Sequence, residues 1–280
     1  MKDRRSYHLK AFTSSIKNAN ERRIPILNKE TIIFPGIARP LFFAHRGLSS
    51  RAPENTLAAF DLARNEKVPG IELDVHLCAS GELVVFHDDT TKRVTSSNLR
   101  IEETTYSELK KLDIGSWFSK DFSDERIPLL QDLFDLTGND VYYDIEIKTR
   151  AKNNSELISK LYTLIKKNNL EKHCLVSSFN PLVLKDFSKL TKTIPTAIIY
   201  SNDQELPFYL RGGLGEYIGK TSIIKPDKKI TTRRKNQKKH KKGKLVIPWT
   251  VDDPEEMKTL LEYGVDGIVS NKPDILIKSL

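Results

Sequence analysis

Cysteine, methionine and tryptophan are scarce, two of each in 280 residues. Cys78 and Cys174 can make at most one pair, so a disulfide framework is excluded for a chain of this length. No run approaches the roughly eighteen uninterrupted apolar residues that a membrane-crossing helix needs. The first residues are basic with no apolar stretch behind them, so no secretory leader is expected. No repeat of fixed period is present, which excludes solenoids and propellers. With 38% hydrophobic and 30% charged residues, the composition suits a packed core under a solvated skin and excludes a disordered or collagen-like chain. A soluble, cytoplasmic globular protein is the expectation.

The net charge of +9 is unevenly placed. Segment 233–244 carries eight Lys or Arg and no acid, and residues 1–40 carry nine against three, so the remainder is net acidic, at −5. A slightly acidic body with basic attachments does not describe a nucleic-acid-binding domain. Segment 233–244 also lacks the interleaved aromatics that base stacking requires, so nucleic acid is not expected as a partner. A solvated helix face or loop is one reading, and a patch that attracts phosphate, an anionic membrane surface or nucleic acid is the other.

From about residue 41, short apolar runs alternate with helical patterns. Strands are expected at 40–44, 70–77, 83–87, 141–148, 174–179, 196–200, 222–224 and 245–251. Segment 154–167 has Leu157, Ile158, Leu161, Leu164 and Ile165 at helical spacing, with Ser155 placed to cap it. Asp253, Pro254, Glu255 and Glu256 open another helix, with Asp as cap and acids at the positive end of the dipole, and Gly264 closes it. Shorter helices are expected at 129–136 and 181–190, and Gly243 marks a helix end. Alternating β and α implies a parallel sheet covered by helices, and eight strands in about 240 residues suit a (β/α)8 barrel. Between His87 and Pro128 the rhythm stops. A structureless loop that long is improbable in a compact domain, so a small insertion after the third strand, at about 88–128, is expected.

In the strand around Glu72, alternation puts Ile71, Leu73 and Val75 on one face and Glu72 and Asp74 on the other. Both faces of a parallel barrel are buried, so two carboxylates there must be paired or hold a cation. In the next long strand Asp144, Glu146 and Lys148 share a face. His45 ends the first strand and His87 the third, and barrel chemistry gathers at the C-terminal ends of strands. Glu72, Asp74 and Glu146 offer oxygen ligands alone, which suits one divalent metal ion, Mg²⁺ or Ca²⁺, rather than zinc. Two histidines are candidates for general acid and base. Arg46 and Lys148 are cations suited to a phosphate. Singly, each residue has a structural reading; gathered at the strand ends of one barrel, they point to a site.

The series Ala44-His45-Arg46-Gly47, Pro53-Glu54-Asn55-Thr56, Glu72-Leu73-Asp74-Val75, Gly81, Val84-Val85-Phe86-His87-Asp88, and Arg93 with Thr95 continues through Ile127-Pro128-Leu129-Leu130, Glu146-Ile147-Lys148, Ser178-Phe179, Trp249-Thr250-Val251 and Asp266-Gly267-Ile268. In content and order it resembles the glycerophosphodiester phosphodiesterase family, from residue 41 to the C-terminus. The resemblance implies a TIM (β/α)8 barrel over 41–280, preceded here by a basic extension of residues 1–40. It implies metal-dependent hydrolysis of a small-molecule glycerophosphodiester to sn-glycerol 3-phosphate and an alcohol. Glu72, Asp74 and Glu146 match the metal ligands, His45 and His87 the acid–base pair, and Arg46 and Lys148 the phosphate contacts. Phe179 and Trp249 match the apolar wall of the glycerol pocket. Which histidine is the acid stays open, as does the choice between direct water attack and a cyclic phosphate.

Three positions depart from the family pattern. Cys78-Ala79-Ser80-Gly81 stands for Thr-x-Asp-Gly, Asp252 stands where Asn is frequent, and Ser270-Asn271-Lys272-Pro273 stands for Thr-Asp-x-Pro. The last two are expected to bear on glycerol or alcohol recognition. Two other readings compete with the soluble diester. One is a lysophospholipid or other lipid phosphodiester as substrate, favoured by basic segments that attract an anionic membrane. The other is a non-enzymatic barrel that binds nucleic acid or phosphate through 233–244.

Overall fold

A computed structural model describes residue 34, residues 39–151, 153–204 and 208–279, the side chains of 208–210 excepted. The basic extension of residues 1–40 therefore lies outside the described residues, apart from Phe34, Arg39 and Pro40. Nine strands occur among the described residues: β1 (Leu41–His45), β2 (Gly70–Leu77), β3 (Leu83–Val85), β4 (Tyr142–Ile147), β5 (Cys174–Ser178), β6 (Thr196–Tyr200), β7 (Ile223–Pro226), β8 (Leu245–Val246) and β9 (Gly267–Ser270). Nine α-helices accompany them: α1 (Leu57–Asn65), α2 (Tyr106–Leu109), α3 (Leu130–Thr137), α4 (Ser155–Lys167), α5 (Pro181–Leu190), α6 (Gly215–Gly219), α7 (Arg233–His240), α8 (Pro254–Glu262) and α9 (Pro273–Lys278).

Eight strands run parallel in the order β8-β7-β6-β5-β4-β2-β1-β9. The ring closes between β8 and β9 through Asp266 N–H to Val246 O at 2.8 Å and Val251 N–H to Val269 O at 2.9 Å. This is the expected (β/α)8 barrel, reached with one exchange of strands. Residues 83–87 do not take a place in the ring: β3 turns back antiparallel on β2, pairing Val85 with Val75. The turn between them is the Cys78–Gly81 departure, where Gly81 has φ +90°. The eighth place belongs to β9, whose four residues are too few to show a period.

Ile71, Leu73 and Val75 are fully buried against the outer helices, as the alternation of β2 requires. Inside the ring the inward positions change character with height. Leu41, Phe43, Leu175, Ala197, Ile223, Leu245 and Val269 fill the N-terminal end as one apolar cluster. One or two residues further along the same strands, inward positions become His45, Ser177 and Lys225, with Glu72 and Asp144 beside them. Burying each large aliphatic side chain is worth about 1.5–3 kcal/mol, so the lower half stabilises a ring whose upper half is polar.

The helices begin largely where the sequence places them. Asn180 Oδ1 accepts from Leu182 N–H at 3.0 Å and starts α5 with Pro181 in its first turn. Asp253 accepts from the N–H groups of Glu255 and Glu256, both at 2.9 Å, and starts α8. For α4 the cap differs: Asn154 takes the N-cap position and Ser155 is the first helical residue. Segment 88–128 is built from single helical turns and α2, gathered on the apolar cluster of Cys78, Val84, Phe86, Val94, Ile101, Leu109, Ile114 and Ile127. Among the described residues, no helix is long and apolar enough to cross a membrane.

His76 points inward from β2, fully buried, with Nε2 3.4 Å from His87 O. Burial pulls its pKa from 6.5 down to about 4. The unfolded chain therefore binds the proton that the folded chain refuses, and stability falls as the pH drops through the interval from 6.5 to 4. The loss amounts to about 3 kcal/mol from this residue. His76→Gln is expected to flatten the acid limb of a stability–pH curve measured by denaturant unfolding. An unchanged limb would assign the acid sensitivity to other groups.

Candidate active site at the barrel mouth

The pleat of β2 and the register of its neighbours build the centre of the site. Glu72 lies opposite Asp144 and Asp74 opposite Glu146 across the β2–β4 ladder. Glu72, Asp74 and Glu146 are all buried, and each offers an oxygen within 4.8 Å of the others. Burial, followed by repulsion from Asp74, pushes Glu72 well above the carboxylate range. Against burial, the Lys148 and Arg46 charges hold Asp74 well below it. Among the described residues, Asp74 Oδ1 accepts no hydrogen bond, and it faces the Lys148 ammonium at 3.2 Å. Three buried oxygen donors, one of them held toward its neutral form by the crowding, fit a hard divalent cation, which would reverse that penalty.

Cations ring this centre. Lys148 Nζ is 2.5 Å from Glu146 Oε1, and against burial its two carboxylate partners hold it well above the ordinary lysine value. Arg46 follows β1 in a left-handed conformation, φ 56°. Its N–H donates to Glu72 Oε2 at 3.1 Å, and its guanidinium Nε lies 3.5 Å from Asp74. That turn needs a glycine next: Gly47 has φ +80°, and a Cβ there would sit 2.7 Å from the backbone carbon of Ala59. Deeper in the barrel, buried Lys225 pairs with Asp144 at 2.6 Å while Ser177 Oγ donates to the same carboxylate at 2.7 Å.

The two histidines reach the mouth by different routes. His45 ends β1 with Nε2 3.9 Å from Glu72 Oε2. His87 is delivered by the hairpin, because Phe86 N–H bonds to Asp74 O at 3.0 Å and brings the returning chain back beside the acidic centre. Their Nδ1 partners differ in charge. His87 Nδ1 meets the Asp88 carboxylate at 2.5 Å, whereas His45 Nδ1 meets the neutral amide oxygen of Asn271 at 2.7 Å. Burial and then the Arg46 charge pull His45 down to about 3, so its ring is neutral.

All nine residues singled out in the sequence are gathered here. Phe179 and Trp249 meet edge to face, ring centres 5.7 Å apart, and Lys148 Nζ stands 6.0 Å from the Phe179 ring. Trp249 is oriented by its indole N–H, which donates to Lys225 O at 2.9 Å. Other residues of the site have roles that no single motif reveals. Glu54 accepts from Arg46 at 2.8 Å and from Arg93 at 2.6 and 3.0 Å, and Arg93 in turn donates to Asp88 at 2.6 Å. One chain of charge-assisted bonds thus runs from Arg46 to His87. Asn55 Nδ2 donates to Asp74 Oδ2 at 2.8 Å. The signal was present in the motifs containing Glu54, Asn55, Asp88 and Arg93, but these pairings span up to 39 residues.

Asp252 and Asn271, expected to bear on glycerol or alcohol recognition, stand behind His45. Asp252 accepts from Asn271 Nδ2 at 2.7 Å and from its backbone N–H at 2.8 Å. Ser49 Oγ donates to Asn271 Oδ1 at 2.9 Å. The amide is thereby assigned with its oxygen toward His45, which places the imidazole proton on Nδ1 and leaves Nε2 free.

Three buried carboxylates, two cations and two imidazoles at the mouth of a (β/α)8 barrel define the class: a hydrolase of phosphate esters. Residues 45–275 match the glycerophosphoryl diester phosphodiesterase family. A glycerophosphodiester phosphodiesterase of Caldanaerobacter subterraneus is 36% identical over 85% of this chain and 97% of its own. One from Bacillus subtilis is 29% identical over 86% of each chain. A phosphodiesterase of Oleispira antarctica, solved in complex with the product sn-glycerol-3-phosphate, superposes with a TM-score of 0.76 at 28% identity, over 86% of this chain and 96% of its own. The chain belongs to the glycerophosphoryl diester phosphodiesterase family.

Proposed function

We propose that this enzyme hydrolyses glycerophosphodiesters to sn-glycerol 3-phosphate and an alcohol, with residues 41–280 as the catalytic unit. The observation that carries the reading is the Glu72–Asp74–Glu146 centre flanked by two histidines whose Nδ1 partners differ in charge. Glu72, Asp74 and Glu146 would hold one divalent ion, Mg²⁺ or Ca²⁺. When bound, that ion supplies positive charge to the phosphoryl oxygens. Arg46 and Lys148 bind the phosphate and draw off charge as it builds. Phe179 and Trp249 wall the glycerol side and exclude water from it.

The two imidazoles divide the proton work. His45, neutral and with Nε2 free, takes the proton of the attacking hydroxyl, whether that of water or of the glycerol itself. His87 protonates the leaving alkoxide, and Asp88 stabilises the positive charge on the ring that does so. Asn271 and Asp252 are positioning residues for His45. Asn271→Ala is expected to lower kcat about 10- to 100-fold, the range for a lost supporting hydrogen bond, with KM little changed. The exchange Asp252→Asn/Asn271→Asp restores a donor–acceptor pair and should recover more activity than either single change. Equal losses in all three would reduce the pair to a structural contact.

The reading is tested by release of sn-glycerol 3-phosphate from glycerophosphocholine, with chelator, Mg²⁺ and Ca²⁺ in parallel and Glu72→Ala as control. Release restored by one metal and absent in the variant supports it and identifies the ion. No release with either metal would overturn it. A cytoplasmic location is part of the proposal, supported by two buried cysteines that stay unpaired.

A further inference from the structure

Helix α7 has an unusual composition for a helix on the outside of a barrel. Between 233 and 244 it and its C-terminal continuation carry eight Lys or Arg and no acid. Arg234 and Lys238, Lys235 and Lys239, and Lys238 and Lys242 stand four residues apart, a spacing at which like charges oppose helix formation. The helix is nevertheless formed. Thr232 caps it, Asn236 Nδ2 donates to Tyr263 O at 3.3 Å, and Lys235 Nζ donates to Ile230 O at 2.9 Å. Arg234, Lys238 and Lys241 are exposed and have no acidic partner among the described residues.

One cation of the run is turned inward, and it fixes what lies beside the rest. Lys239 Nζ binds buried Glu216 of α6 at 2.5 Å. Lys242 Nζ bonds to Tyr217 Oη at 2.8 Å and stands 5.3 Å from its ring centre. Lys244 reaches the Thr221 carbonyl. Helix α6 is thereby held against the basic run, and its outer face is apolar: Leu214 is 58% exposed, Tyr217 62% and Ile218 42%. Lys220 is exposed just beyond that face. An apolar centre with a cationic rim is the pattern by which a protein lies on a lipid surface.

We propose that the α6–α7 flank docks the enzyme on an anionic bilayer. Leu214, Tyr217 and Ile218 enter the headgroup boundary, and Arg234, Lys238, Lys241 and Lys242 meet the lipid phosphates and carboxylates. Charge complementarity favours a bilayer over a protein groove, because the run offers no acid to a mixed surface. Two of the three side chains at its centre are aliphatic, and Lys242 stands over the ring of the third, Tyr217, so the patch lacks the series of open aromatic faces that nucleic acid would want and favours lipid. Segment 241–244 leads into the N-terminal end of β8, opposite the catalytic mouth. The docked enzyme therefore keeps its mouth open to water and draws soluble diesters, not bilayer lipids.

The test is sedimentation of the full chain with phosphatidylcholine vesicles, with and without phosphatidylserine. Binding is expected only with phosphatidylserine. Arg234→Gln/Lys238→Gln/Lys241→Gln should weaken it about 100-fold, at about 5-fold per cation, and Leu214→Ser/Ile218→Ser should weaken it as well. Neither variant should change the melting temperature or the hydrolysis of a soluble diester. Vesicle binding that survives the triple change would overturn the proposal, as would binding indifferent to phosphatidylserine. Duplex DNA that displaces the vesicles while the serine pair leaves binding intact would make the patch a general polyanion site and overturn it too.

Discussion

His45→Ala and His87→Ala are each expected to lower kcat on glycerophosphocholine by about 10²–10⁴, the range for a lost general acid or base. Both side chains are partly exposed at the mouth, so neither change opens a sealed core cavity and the melting temperature should hold. The two variants separate when the leaving group changes. With glycerol 3-phosphate esterified to p-nitrophenol, the departing phenolate needs no proton. His87→Ala should then recover much of its lost rate while His45→Ala stays slow. Equal losses on both substrates would remove His87 from the acid role. Recovery by His45→Ala instead would reverse the assignment that the Asp88 and Asn271 contacts support.

Asp74→Asn or Glu146→Gln should cost still more. Removing a single preorganised electrostatic contact to a developing oxyanion lowers kcat about 10²–10³-fold, and each of these changes weakens a site that serves several oxygens at once. Amide isosteres are preferred to alanine. Asp74 is buried and touches Arg46, Lys148 and Asn55. Deleting its side chain would strand buried cations, a change that costs about 3–5 kcal/mol of stability. Titration calorimetry with Mg²⁺ and Ca²⁺ gives the second readout, since the variants should lose ion affinity together with rate. Retained affinity with lost rate would take the residue out of the ligand set. Chelation of the unaltered enzyme should abolish turnover reversibly, with full recovery when the ion is returned.

Much of this site was legible because its parts are local. The alternation of β2 separates Ile71, Leu73 and Val75 from Glu72 and Asp74 within five residues, and the structure keeps that separation. Helix α5 begins and ends where its proline, cap and apolar spacing place it. What escaped depends on pairing between distant segments. A strand with two faces buried looks the same in sequence whether it joins the ring or folds back, so the eighth place expected of 83–87 belongs to β9. Lys225 lies one residue past the expected end of its strand, and only the register with β6 shows that it turns inward toward Asp144. Asp252 and Asn271 read as unrelated departures until the closure of the ring sets them side by side, 19 residues apart in sequence.

The hairpin that carries His87 divides the machinery by its origin in the chain. The acidic centre and His45 ride on strands of the ring and Lys148 directly follows one, where any shift propagates through packed neighbours. His87, Asp88 and Arg93 ride on a returning strand and the segment behind it, which rests on its own apolar cluster. If His87 is the acid, as proposed, changes in that segment should act on the leaving alcohol and leave the acidic centre on the ring in place. With the proposed roles, exchanging residues between 88 and 128 is therefore expected to change which alcohol is released more than it changes ion binding.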